Sequence, residues 1–132
     1  GSLFVMYMIG SEADLGANSP NYAFPLPVIF GIEILASALL MAVIVVVVYM
    51  KGLRGYGGLV IGGIVGLDIF FLAFISGASM NPARSFAPAI VSGVLYNLWL
   101  YWSATFIGTS IVALLVRKKF TYDKDVQNRL RL

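Results

Sequence analysis

Asn81, Pro82 and Arg84 fall together in the run Ser76-Gly-Ala-Ser-Met-Asn-Pro-Ala-Arg-Ser-Phe-Ala-Pro-Ala-Ile-Val-Ser-Gly93. Asparagine is a favoured N-cap, and proline is tolerated at the first helical position because its missing N–H would have no intrahelical partner there. A helix is therefore expected from Pro82, and Gly93 is a natural stop about three turns later. With its side-chain oxygen engaged in the cap, Asn81 keeps its NH2 donors free to grip a passing oxygen atom. The helix N-terminus adds a positive partial charge that disfavours cations and turns a small dipole oxygen-first. Arg84, one turn further on, adds a permanent guanidinium. This is the chemistry of recognition without bond breaking.

Covalent chemistry has little to work with. The chain has no cysteine and no histidine, which removes disulfides, thiolate nucleophiles, thiolate or imidazole metal sites and imidazole acid/base catalysis. Six carboxylates remain. No cofactor, no metal and no enzyme activity is expected. No G-x-G-x-x-G occurs, and the formal charge of +3 comes from basic residues at the ends of apolar runs, so neither a dinucleotide nor a nucleic acid is an expected partner.

The elements that position the run belong in lipid. Of 132 residues 60% are apolar and 11% charged, where a soluble domain carries about 25% charged residues. Mean hydropathy is +0.92. Between Pro27 and Lys51 the only charge is Glu33, and a spanning helix needs about 20 apolar residues. Between Arg54 and Arg84 the only charge is Asp68, and between Arg84 and Arg117 there is none. That last gap, 32 residues, would make a helix of about 48 Å, too long for a hydrocarbon core of about 30 Å. Gly77, Pro82, Pro88 and Gly93 mark where the excess is irregular.

The expected order is the end of a preceding span (1–9), an outer loop (10–27), a span (28–50), a short inner loop (51–56), a second span (57–75), a re-entrant loop with a half-helix (76–95), a third span (96–116) and a tail (117–132). Lys51 and Arg54 follow the first full span and six basic residues follow the last, which puts both ends on the cytoplasmic side. The tail is expected to be solvated or frayed. Nothing reads as a signal peptide, and the apolar opening from Leu3 to Ile9 suggests a piece of something longer.

Non-helical backbone at membrane depth is tolerated where it lines a wet cavity, so Gly77 to Met80 should offer carbonyl acceptors. A lone carboxylate inside a span, Glu33, should have backbone or charged partners. An intramembrane arginine is a functional candidate, although Arg84 has the alternative of snorkelling to the headgroups. Gly58, Gly62 and Gly66 form a smooth stripe expected to wedge the second span between neighbours. Asp68 has no assigned role.

Met80-Asn-Pro-Ala-Arg-Ser85, in a half-helix between two spans, resembles the second NPA motif of the aquaporin (major intrinsic protein) family. The resemblance extends from Phe30-Gly-Ile-Glu33 to Thr105-Phe-Ile-Gly108, nearly the whole chain. It implies an all-α membrane protein, one inverted repeat of an aquaporin-like right-handed bundle with three transmembrane helices and a re-entrant half-helix. It implies that Asn81, Pro82 and Ala83 form the pore motif and that Arg84, Ile69 and Ala78 stand at selectivity-filter positions. Gly77, Ala78, Ser79 and Met80 would form a carbonyl rail, Glu33 would brace that loop, and Leu40, Val65 and Met80 would form the apolar wall opposite. The implied partners are water and small neutral solutes, the lipid bilayer, an N-terminal half with the other NPA motif, and three further copies in a homotetramer. The implied location is the plasma membrane.

Two positions depart from the water-selective pattern. Ile69 stands where many water channels have histidine, which also suggests an archaeal aquaporin as the nearest kin. Ile69 is 12 residues into its span, about 18 Å up, near the height of Arg84. Ala78 is small where cysteine or phenylalanine is common. A wider, less polar constriction follows, with glycerol a possible solute. Ser85, where glycerol facilitators typically have aspartate, together with Ala89, Tyr101 and Trp102, resembles the water-channel pattern. Tyr96, Trp99, Tyr101 and Trp102 also suit an interfacial aromatic belt, and the two readings weigh equally. The expectation is a passive water channel. The alternatives are a glycerol-type facilitator, half of a secondary transporter, or a non-conducting scaffold.

Overall fold

The computed structural model describes residues 1–130; the side chains of Ala13, Lys51, Arg54 and 119–130 lie outside the described residues. Five α-helices form, and no strand is present among the described residues. They are α1 (Ser2–Ile9), α2 (Leu26–Tyr49), α3 (Gly57–Ser76), α4 (Pro82–Ser92) and α5 (Leu98–Leu130). Single 3-10 segments, Glu12–Gly16 and Lys51–Tyr56, occupy the two connections on either side of α2.

The ends of these helices follow from local chemistry. Pro25 precedes α2 and Pro27 sits in its first turn, where the lost N–H has no intrahelical acceptor. α3 stops because Gly77 turns left-handed at φ 90°, with its N–H bonded back to Ala73 O at 2.9 Å. Asn81 caps α4 through its side chain, and Gly93, at φ 81°, ends it. α4 runs through Pro88, which is buried, at the loss of one backbone hydrogen bond. α5 begins at Leu98, after Asn97, whose carbonyl takes the Leu100 and Tyr101 amides. It then continues past its apolar stretch to Leu130, so the expected solvated or frayed tail is helical as far as that residue. No glycine or proline follows Gly108 to stop it.

Among the described residues, three helical stretches are long and apolar enough to cross a membrane: Leu26–Tyr49, Gly57–Ser76 and Leu98–Lys118. α4, with 11 residues, rises about 16 Å, half the hydrocarbon thickness. α2 packs against both α5 and α3. The contact with α5 is close because Gly108 has no side chain: a Cβ there would collide with the Ile34 carbonyl and lie 3.0 Å from Ser37 Cβ. The Gly58, Gly62 and Gly66 stripe behaves differently. Nothing lies within 4 Å of where their Cβ atoms would be, so the stripe is not wedged against any neighbour within this chain.

Two buried clusters fill the interior. Ile29, Leu100 and Tyr101 form one, with Phe24, Phe30 and Ile75 packed on it. Ala36, Ala78 and Met80 form the other, with Leu40, Val65, Leu72 and Ala73 around them. The second cluster seats the loop between α3 and α4 against the two long helices.

Candidate functional site

The loop from Gly77 to Asn81 makes a tight reversal at the cost of backbone strain. Ala78 and Met80 both have positive φ, 43° and 55°, a region that L-residues enter only when their surroundings hold them there. What holds them is Glu33. Its Oε1 accepts the Ser79 amide at 3.0 Å and its Oε2 the Met80 amide at 3.3 Å, and the residue is fully buried.

Those two bonds set the direction of two carbonyls. In a trans peptide the N–H and the preceding C=O point opposite ways, so the Ala78 and Ser79 oxygens are turned away from Glu33. Ala78 O meets Arg84 Nη1 at 2.8 Å. Gly77 O accepts from Asn18 Nδ2 at 2.8 Å. Among the described residues no donor reaches the carbonyls of Ser79 and Met80.

Asn81 Oδ1 accepts the Ala83 amide at 2.9 Å, so its exposed side chain has only N–H donors left to offer. Arg84 is likewise exposed, one turn into α4, and its bond to Ala78 O fixes the guanidinium over the loop. That geometry disfavours the snorkelling alternative.

The other expected residues divide. Leu40, Val65 and Met80 come together around the second buried cluster. Ala78 is fully buried in that cluster and meets Arg84 through its carbonyl, so its small methyl does not open space beside the guanidinium in this chain. Ile69 is 39% exposed; at helical spacing it shares the α3 face of Val65, Leu72 and Ala73 and stands uncovered between them. Asp68 is buried, and its Oδ2 has no hydrogen-bond partner.

Several contacts at the site carry no signal in the sequence reading. Asn18, in the outer loop, is buried and also accepts from Ser85 Oγ at 3.1 Å. With the Ser85 hydroxyl proton on Asn18, Ser79 Oγ has one proton to donate, to Ser85 Oγ or to Asn81 O, 3.0 Å away. Asn21 closes the end of α3 with Nδ2 on Phe74 O at 3.2 Å and its amide on Ile75 O at 3.0 Å. The aromatic group separates. Tyr101 is 1% exposed and donates to Ser76 O at 2.8 Å, so it is an interior brace. Trp102 donates to Pro82 O at 3.2 Å and packs on Phe86. Tyr96 and Trp99 stay exposed, as an interfacial belt would be.

The family model described as Major intrinsic protein matches residues 1–116. Aquaporin TIP4-4 of Zea mays is 42% identical over 83 residues, 62% of this chain and 33% of that protein. Aquaporin NIP3-1 of Arabidopsis thaliana is 46% identical over 80 residues, 60% of this chain and 25% of that protein. Aquaporin TIP2-3 of the same plant is 49% identical over 55 residues, 42% of this chain and 22% of that protein. The matched stretches thus cover a third or less of these relatives. All three are plant proteins, so the archaeal kinship suggested by Ile69 finds no support in them.

Proposed function

The chain belongs to the major intrinsic protein family, and we propose that it forms one half of a passive water pore that excludes protons and ions. The observation that carries this reading is the Arg84–Ala78 contact at 2.8 Å, which fixes a cation beside a loop of outward-turned carbonyls at the start of a half-length helix. Asn81, Pro82 and Ala83 form the pore motif, and the Asn81 amide donates to a passing water oxygen. The Ser79 and Met80 carbonyls accept its hydrogens, so water meets donors and acceptors in sequence without covalent chemistry. A cation meets Arg84 and the positive end of α4.

Arg84 and Ile69 belong to the selectivity filter, with Ala78 contributing its carbonyl; Gly77, Ala78, Ser79 and Met80 form the rail; Glu33 is the brace; and Leu40, Val65 and Met80 form the apolar wall. Ile69 brings no donor, so the constriction favours small neutral solutes such as glycerol more than a histidine there would. Completion of the pore needs a preceding half with the other NPA motif, and four such pores assemble as a homotetramer. We place the protein in the plasma membrane with its C terminus cytoplasmic, an orientation supported by the basic residues after α2 and in α5.

Osmotic swelling of proteoliposomes containing the full-length protein tests this reading. Water flux should rise linearly with the gradient and need no ion. Saturation, or dependence on sodium or a proton gradient, would instead support a secondary transporter.

A further inference from the structure

The outer loop before α2 reaches further into the site than a connector needs to. Its Asn18 side chain, 8% exposed, uses both ends of its amide: Nδ2 donates to Gly77 O at 2.8 Å and Oδ1 accepts from Ser85 Oγ at 3.1 Å. Gly77 and Ser85 are the neighbours of Ala78 and Arg84, which are themselves joined at 2.8 Å. Two rungs therefore tie the loop to α4: Arg84 to Ala78, and just outside it Asn18 bridging 77 and 85. The loop is also seated tightly, since a Cβ on Gly77 would lie 3.2 Å from Ser19 O.

We propose that Asn18 is a positioning residue for the Arg84 constriction, setting which solutes pass it. The inference rests on the water-pore reading above. Only a neutral amide fits the two contacts. Aspartate would present a second acceptor to Gly77 O, and alanine would leave both Gly77 O and the Ser85 hydroxyl without this partner. Either change frees the loop segment that carries Ala78 O to shift against α4, and Arg84 moves with it.

The test is the ratio of glycerol to water permeability in proteoliposomes of the full-length protein. A merely structural role would lower both fluxes with the amount of folded channel and leave their ratio unchanged. Asn18→Ala should raise the ratio at least about five-fold, the scale set by either one of its two lost hydrogen bonds. Ser85→Ala, which removes the other end of the clamp, should shift it in the same direction. Asn21→Ala, which loosens the same loop from α3 without touching 77 or 85, should leave the ratio at its wild-type value. A wild-type ratio in folded Asn18→Ala would overturn the inference. If that variant does not fold, a wild-type ratio in Ser85→Ala would overturn it. Absence of water flux in the wild-type protein would overturn the pore reading first, and the inference with it.

Discussion

Glu33 Oε1 accepts the Ser79 amide at 3.0 Å across 46 residues of sequence, and with it a helix dictates which way a loop carbonyl points. The second oxygen does the same for Met80 at 3.3 Å. A carboxylate suits the position because both its oxygens only accept.

Glu33→Gln keeps the size but turns one acceptor into a donor that faces the Met80 N–H. The loss of a hydrogen bond to a charged group costs about 1.5–3 kcal/mol. Thermal stability in detergent should fall accordingly, and water permeability per folded channel should fall with it. Wild-type permeability in a well-folded Glu33→Gln protein would remove the brace from the account.

Gly108→Ala should destabilise the protein by about 1–3 kcal/mol, because the added methyl meets the Ile34 carbonyl where α2 and α5 touch. A thermal-unfolding series in detergent checks this. An unchanged midpoint would mean that the two helices are not as close as the structure has them.

Tyr101→Phe deletes the bond to Ser76 O and leaves a buried carbonyl short of one donor, a cost of about 1–3 kcal/mol. Tyr96→Phe, at an exposed position, should change the unfolding midpoint by much less. Equal effects would return Tyr101 to the interfacial belt.

Ile69→His adds a donor and bulk at an exposed position on the Val65 face of α3. Glycerol permeability should drop relative to water permeability in the same vesicles, and an unmoved ratio would show that Ile69 does not bear on the constriction.

What was legible in the sequence was local or forced by the solvent. The start of α4 follows from Asn81 and Pro82 side by side, and a lone Glu33 inside an apolar helix had to find partners. Asn18 was invisible because its contact with Gly77 crosses 59 residues and depends on the path of a loop that has no periodic pattern. Tyr101 was ambiguous because an aromatic near a helix end suits either the interior or the lipid interface, and only burial separates the two. Ala78 looked like empty space because composition reports its size and says nothing of the positive φ that turns its methyl into the core. The glycine stripe is a smooth face in the sequence, and within this chain no atom comes within 4 Å of where its side chains would begin.

The most direct test compares stopped-flow permeability of the wild-type protein and Arg84→Ala in proteoliposomes, for water, glycerol and protons. Wild-type protein should carry water with a low activation energy and little proton leakage, and Arg84→Ala should admit more glycerol and more protons while still carrying water. A high activation energy for wild-type water flux, or identical glycerol and proton leakage in the two proteins, would contradict a pore gated in selectivity by Arg84.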